Sequence, residues 1–189
     1  GENDSAALLA EDIQRAGAGY CKPSAVEILS EDGPRLVQEI LMNKVGVEFD
    51  HEADGRLSMG LEGGHSVPRI LHAADTTWRS IELALITALR ANPKVTLLPG
   101  YTAIDLLTPS HHSNNRLTVY DRQSCVGAYL LDQTTGRVAR CLAKKTVLAT
   151  GGLGQIFLHT TNPAGACGDG LAMAQRASAR IINAEFGLF

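Results

Sequence analysis

Three stretches of this chain hold residues whose types and spacing suit chemistry on a bound ligand. The first, residues 60–66, places one carboxylate, Glu62, and one imidazole, His65, among three glycines and beside Ser66. Because glycine has no Cβ, a substrate and the backbone can approach each other closely there. The alternative interpretations are a surface charge for Glu62 and a structural histidine for His65.

The second stretch, residues 144–154, runs from two lysines through an apolar, β-favouring core into Gly151, Gly152 and Gly154. This pattern predicts a strand that is buried on both faces and ends in a glycine turn. In open α/β sheets, ligands bind beyond the carboxyl ends of such strands. The simpler alternative is that the glycines only end a strand and bind no ligand.

The third stretch places Asp169 between two glycines, directly before residues 171–179, which are rich in helix formers. The aspartate could accept backbone N–H groups as a helix N-cap. It could instead present its carboxylate to ligand hydroxyls, as acidic groups do to ribose in dinucleotide-binding folds. The sequence leaves both interpretations open.

The elements that must position these stretches are helices in the first half of the chain and strands in the second. Hydrophobic periodicity predicts four helices, the first of them capped by Asp4 or Ser5, over residues 6–16, 25–29, 35–43 and 79–90. Alternating patterns predict four strands, at residues 95–98, 101–107, 125–131 and 138–142. We therefore expect an α/β (mixed α+β) fold with helices on a central sheet and an antiparallel β-meander, residues 95–143, inserted into it.

Length and composition narrow the classes of function. The 189 residues can form one domain with a sizeable core, and a net charge of −3 with scattered basic residues indicates no nucleic-acid partner. No apolar run is long enough to cross a membrane, and no signal sequence begins the chain, so a cytoplasmic protein is expected. The four cysteines are dispersed, which predicts reduced thiols and no metal site.

The motifs together resemble a known family. Ala149-Thr150-Gly151-Gly152, Thr160-Thr161-Asn162-Pro163 and Gly168-Asp169-Gly170 are similar to the FAD-domain motifs of the succinate dehydrogenase and fumarate reductase flavoprotein superfamily. The block Glu62-Gly63-Gly64-His65-Ser66, followed by Arg69-Ile70-Leu71-His72, resembles the motif of the L-aspartate oxidase family. The similarity extends over nearly the whole chain.

This resemblance implies FAD as the cofactor, with Ala149, Thr150, Gly151, Gly152 and Asp169 as its contacts. The parent reaction would oxidise L-aspartate to iminoaspartate in NAD biosynthesis and pass the electrons to oxygen or fumarate. Substrate contacts would come from Glu62, His65 and Ser66. A carboxylate that faces the substrate ammonium would favour aspartate over succinate or fumarate, which lack an amine.

The chain departs from the family pattern at two positions: Trp78 and Leu188 stand where the family has glycine and glutamine. A buried tryptophan at the first position would require a local rearrangement, whereas an exposed one would not. The first Gly-x-Gly-x-x-Gly unit of a nucleotide-binding domain has no counterpart, and the family's catalytic arginine would lie beyond the C-terminal end. These absences predict a partial FAD-binding domain over residues 1–189, with no catalytic residue of its own.

Three hypotheses follow for the function. The chain is part of an L-aspartate oxidase and is inactive in isolation, or it is part of a fumarate reductase or succinate dehydrogenase flavoprotein, or it is a binding or structural remnant without catalysis. Sheet edges exposed by excision would invite pairing with a second copy, which predicts a homodimer.

Overall fold

A computed structural model describes residues 3–73 and 77–186, apart from the side chains of residues 111 and 112. The chain divides into two compact units, Gly1–Leu97 and Leu98–Phe189. The first unit holds helices and a small two-stranded sheet, and the second holds a three-stranded sheet and one longer helix. The predicted mixture of helices and strands is confirmed, while a single domain over residues 1–189 stays a prediction.

The first unit begins with helix α1, Ala6–Ala16. Its N-cap is Ser5, whose hydroxyl oxygen accepts the N–H of Leu8 at 3.1 Å, so both the predicted helix and its cap are confirmed. The helix ends at Gly17, where a Cβ would lie 2.1 Å from the sulfur of Cys21. Glycine therefore allows the chain to turn tightly against the end of the helix.

Helix α2, Pro23–Leu36, runs into a π-helical segment, Val37–Val45. The prediction of two separate helices with a break at Pro34 is therefore wrong. Proline costs an interior helix one hydrogen bond but keeps a helical φ, so the helix can continue past it, here into a wider π turn. Helical spacing also predicts a buried apolar stripe that includes Leu36 and Ile40, but both residues are exposed, so this prediction is wrong in part.

An extended segment and a short hairpin follow. Val47 and Phe49 are buried on alternate positions, as a β-favouring stretch predicts, but they belong to no strand. Strands β1, Met59–Gly60, and β2, Ile70–Leu71, pair antiparallel. The hairpin thus brings the two ends of residues 61–69 together and fixes the loop that contains the first predicted site.

Helix α3, Thr77–Ala91, confirms the predicted helix over residues 79–90. Trp78 lies in its first turn and is 84% exposed, so no core has to accommodate the indole. Of the two outcomes expected for this departure from the family pattern, the structure has the exposed one.

The second unit is built on three antiparallel strands in the order β3-β4-β5. They are β3, Tyr101–Leu107, β4, Gly127–Asp132, and β5, Val138–Leu142, with a register shift between Ala103 and Asp105. Helix α4, Pro109–His112, and a 3-10 turn, Arg116–Tyr120, connect β3 to β4. The meander is confirmed for three of its four predicted strands, whereas residues 95–98 form no strand.

The predicted strand within residues 144–150 is absent among the described residues, although the segment leads into the glycine turn as expected. A strand buried on both faces needs ladder partners for its backbone groups and cover for its side chains. In this structure the side chain of Val147 is 85% exposed and no strand pairs with the segment.

A 3-10 turn, Gly154–Ile156, precedes helix α5, Asp169–Arg176. The helix packs on β3, where the Nε of Arg176 donates to Asp105 at 3.1 Å, and Met173 of the helix is 2% exposed. The composition of residues 180–186 predicts a helix that turns into a strand, but the structure has a turn at Asn183 there and neither element, so this prediction is wrong. Leu188 lies outside the described residues.

Candidate functional site

A cleft in the second unit brings together most of the residues predicted to contact a cofactor. It has a volume of about 300 Å³ and lies between the segment after β5 and helix α5. Ala149, Thr150, Gly151 and Gly152 all line it. The remaining lining residues are Leu148, Leu153, Gly168, Gly170, Leu171 and Ala174.

Glycines hold the two walls of this cleft close together. A Cβ on Gly170 would lie 1.9 Å from the hydroxyl oxygen of Thr150 and 3.0 Å from its Cβ. The N–H of Gly168 donates to the carbonyl of Gly152 at 3.0 Å, which ties the start of α5 to the glycine turn. Gly151 has φ +77°, a left-handed conformation that favours glycine. The glycines therefore leave parts of the wall as bare backbone that a ligand can approach, while Leu148, Leu153 and Leu171 give the cleft apolar side chains elsewhere.

The loop before α5 braces the glycine turn from the other side. The side-chain amide of Gln155 donates to the backbone carbonyl of Asn162 at 2.6 Å, and the backbone N–H of Gln155 donates to the carbonyl of Ala166 at 3.0 Å. A Cβ on Gly154 would lie 2.5 Å from the side chain of Asn162. The Thr-Thr-Asn-Pro motif thus packs directly on the glycine turn through Asn162.

Asp169 does not cap helix α5, so that interpretation is wrong. Gly168 is the N-cap residue, in a left-handed conformation with φ +78°, and no side chain caps the helix. Asp169 is the first helical residue, where its carboxylate favours the positive end of the helix dipole. It is exposed and is flanked by two residues of the cleft wall, but it does not line the cleft.

The predicted substrate residues lie together in the first unit, on the loop between β1 and β2. The N–H of His65 donates to the carbonyl of Glu62 at 3.2 Å, and Gly64 makes this turn with φ +86°. The side chain of Glu62 is exposed. Ser66 is held by helix α1, because its N–H and its hydroxyl both donate to Asp12 at 2.9 Å.

Asp12 is a buried residue at the site that the sequence analysis did not single out. Its side chain is 1% exposed and also accepts from Arg15 and, at 2.7 Å, from Arg69. Arg69 in turn forms a two-pronged ion pair with Asp4, through Nε at 3.0 Å and Nη2 at 2.8 Å. We call Asp4, Asp12, Arg15 and Arg69 the ionic cluster.

The surroundings of Asp12 favour its charged form. The backbone N–H of Ser66, above all, lowers the pKa of the Asp12 carboxyl well below its usual range, against the opposing effect of burial, and Arg69 lowers it further. The Arg69 guanidinium keeps its charge, since its ion pairs with Asp4 and Asp12 outweigh burial and raise its pKa. The ionic cluster is therefore a charged anchor beneath the loop of Glu62.

Other classes of site are not found in the part of the chain that the structure describes. No group of three or more histidine, cysteine or acidic side chains there could hold a metal ion. The four cysteines are free. None of the helices described is both long enough and apolar enough to cross a bilayer.

Curated relatives share the sequence over almost the whole chain. An enzyme of Arabidopsis thaliana named L-aspartate oxidase, chloroplastic, is 42% identical over 186 residues, which are 98% of this chain and 27% of the relative. One of Ralstonia nicotianae named L-aspartate oxidase 1 is 40% identical over 97% of this chain and 33% of its own length. The chain thus spans about a quarter to a third of the relatives it matches.

Solved structures share the fold. The Sdh1 protein of Mycobacterium smegmatis in complex with UQ1 matches with a TM-score of 0.76 and 25% identity, over 93% of this chain and 29% of that one. The quinol fumarate reductase FrdA of E. coli matches with a TM-score of 0.81 and 22% identity, over 92% and 27%. The family model described as FAD binding domain matches residues 1–189. The chain therefore belongs to the FAD-binding domain family.

Proposed function

We propose that the chain forms the part of an FAD-dependent L-aspartate oxidase that holds the dinucleotide and orients the substrate amine. The single observation that carries the cofactor half is the close approach of Gly170 to Thr150, which builds a cleft with exposed glycine backbone on both sides. The 40–42% identity to enzymes named L-aspartate oxidase supports the choice of substrate.

The cleft fits part of a dinucleotide. Its volume of about 300 Å³ is at the lower end of the range for small-molecule sites, enough for a diphosphate and an adjoining sugar. Backbone N–H groups at glycine turns and helix N-termini suit phosphate oxygens, and Gly151 and Gly152 bring such groups to the cleft. When bound, FAD would supply the acceptor for the hydride of the substrate.

Asp169 is proposed to bind a ribose hydroxyl. Its exposed carboxylate stands at the start of α5, between the two glycines that line the cleft. A carboxylate accepts hydroxyl hydrogens, and the helix dipole favours a carboxylate in the first helical turn.

The loop of Glu62 is proposed to recognise the substrate. An exposed carboxylate on a loop anchored at Ser66 can face the ammonium group of aspartate, a charge-assisted contact worth about 1.5–3 kcal/mol. The hydroxyl of Ser66 donates its hydrogen bond to Asp12, and its oxygen keeps lone pairs that can accept a hydrogen bond from the substrate. His65 lies between these two residues on the same turn.

The cofactor half is tested by titrating the purified chain with FAD and following flavin fluorescence. Saturable binding that weakens in Asp169→Ala supports the proposal, whereas Asp121→Ala, an exposed aspartate of the same unit outside the cleft, serves as the matched control. Equal affinities for the two variants would contradict the role of Asp169. We expect the isolated chain to produce no peroxide with aspartate, and measurable peroxide would refute its inactivity.

The substrate half is tested in the complete enzyme with Glu62→Gln. Loss of one charge-assisted contact predicts a fall of about 10- to 150-fold in kcat/KM for aspartate. Glu48→Gln, also exposed in the first unit, should change nothing. A fumarate reductase-type reaction would instead be unaffected or improved by Glu62→Gln, because its substrates have no amine.

Three further parts of the proposal concern partners and location. The electron acceptor is proposed to be oxygen or fumarate, which peroxide and succinate assays distinguish. A homodimer is supported by β5, an edge strand whose five residues are all exposed, and sedimentation of the chain tests it. A cytoplasmic location is proposed for the complete enzyme. Because the Arabidopsis relative is named chloroplastic, imaging of a tagged version of the enzyme must distinguish these two locations.

A further inference from the structure

Within the ionic cluster, Asp12 and Arg69 are buried, whereas Asp4 is 17% and Arg15 is 59% exposed, and neither buried charge contacts the substrate or the cofactor in the function proposed above. Asp12 is 1% exposed and Arg69 is 6% exposed. A buried charge is costly unless its hydrogen bonds are satisfied, and removal of one partner leaves the other charge unpaired. Both groups are well satisfied here, so the cluster is a fixed structure on which neighbouring side chains depend.

Arg69 is oriented by its two carboxylates. Asp4 engages Nε and Nη2 of the guanidinium, a two-pronged geometry that fixes the plane of the group. The remaining nitrogen, Nη1, then directs its two hydrogens to two different acceptors. One is Asp12 at 2.7 Å, and the other is Nδ1 of His65 at 3.0 Å.

This last contact determines which nitrogen of the neutral imidazole carries its proton. An arginine has five N–H donors and no acceptor, and it stays charged in proteins. The Nδ1 atom of His65 can therefore join this hydrogen bond only as an acceptor, without a hydrogen of its own. In the neutral ring the single proton must then be on Nε2, the nitrogen that points away from Arg69.

We propose that Asp12 is a positioning residue, which acts through Arg69 to fix His65 as the Nε2–H tautomer on the loop that carries Glu62. Asp12 also holds Ser66 directly, so one carboxylate sets two of the three residues of the predicted substrate loop. The loop then presents a fixed N–H donor beside the exposed carboxylate of Glu62, a pairing suited to a substrate with both an anionic oxygen and an ammonium group. That last step, the fit to an amino dicarboxylate, rests on the proposed function.

The test is the tautomer of His65 in the purified chain, read from ¹⁵N–¹H correlation spectra of histidine-labelled protein at about pH 8, where a free imidazole is neutral. The signal of His65 is assigned by its loss in His65→Gln. We expect the wild type to show a single Nε2–H tautomer. Asp12→Asn should lose this preference and give the averaged shifts of two exchanging tautomers.

The matched control is Glu11→Gln, which removes the same charge from the neighbouring, exposed residue of α1 and should keep the wild-type signals. Arg69→Lys provides a second variant, because lysine keeps the charge but lacks the fork that reaches both Asp4 and His65. It should lose the tautomer preference as well, so the proposal stays testable if Asp12→Asn does not fold.

Two outcomes would overturn the proposal: an Nδ1–H or doubly protonated His65 in the wild type, or an unchanged Nε2–H tautomer in a folded Asp12→Asn or Arg69→Lys variant. A lower melting temperature with an unchanged tautomer would show a structural role only. The measurement needs neither FAD nor substrate. Failure of FAD binding or of aspartate oxidation would therefore refute the proposed function and leave this result standing.

Discussion

The close approach of helix α5 to the glycine turn can be tested with one methyl group. In Gly170→Ala the new Cβ would lie 1.9 Å from the hydroxyl oxygen of Thr150, at least 1.1 Å nearer than the 3.0 Å that real Cβ atoms keep. Rotation of the threonine gives little relief, because its Cβ is only 3.0 Å and its Cγ2 only 3.1 Å from the same point. The helix and the turn must move apart.

Overpacking of this kind costs about 1–3 kcal/mol, and the higher helix propensity of alanine returns up to about 1 kcal/mol. We therefore expect a net loss of about 1–2 kcal/mol and a fall in melting temperature of about 2–8 °C for a chain of this size. FAD affinity should fall too, since both residues line the cleft. Thermal unfolding and FAD titration of the same preparation measure the two effects.

Gly165→Ala is the control, because a Cβ there meets no atom within 4 Å and the residue has no left-handed φ. It should leave stability unchanged or raise it slightly. The double variant Gly170→Ala/Thr150→Ala removes the two outer atoms of the clash and should recover part of the loss. If the effects of the two substitutions simply add, with no coupling energy, the packing argument is wrong.

Three further predictions concern the folded chain. Met173→Ala, at a residue of α5 that is 2% exposed, should cost about 2–5 kcal/mol in urea unfolding, while Gln175→Ala, at an exposed residue of the same helix, should have little effect. Gly127→Ala should cost at least about 1–3 kcal/mol, because its Cβ would lie 1.9 Å from the carbonyl of Cys141 across the β4–β5 ladder; retained stability would contradict it. The lowered pKa of Asp12 stabilises the folded chain fully at any pH above the ordinary aspartate value of about 3.9, and this stabilisation is lost progressively as the pH falls from there toward the lower pKa of the folded state, so wild type should lose more stability than Asp12→Asn between about pH 5 and pH 3.

Local patterns predicted those elements that depend on local interactions. Helix α1 with its Ser5 cap and helix α3 follow from hydrophobic spacing and from side-chain chemistry within a few residues. The hairpin of β4 and β5 follows from alternation around a glycine turn. The resemblance to FAD-domain motifs, and no local pattern, implied four of the residues that line the cleft, Ala149, Thr150, Gly151 and Gly152.

Elements that depend on distant partners were not predictable in this way. Residues 144–150 have the composition of a buried strand, but a strand needs ladder neighbours that no local pattern supplies, and the segment remains unpaired. The prediction of a helix break at Pro34 was wrong for a related reason. A proline inside a helix costs about 3 kcal/mol, an amount that the surrounding turns offset here without ending the helix.

Asp12 shows how a sequence can indicate a buried charged residue that anchors a distant loop. It occupies the apolar face of α1, four residues after Leu8 and four before Ala16, where a carboxylate has no reason to be unless a cation is buried with it. The cation is Arg69, three residues after Ser66 and therefore part of the same motif that carries Glu62. A charged residue within an apolar stripe thus indicates a distant partner of opposite charge. The first candidates for that partner are arginines that belong to a sequence motif but have no predicted contact with a ligand. Here the motif supplies both the predicted substrate loop and the cation that fastens it.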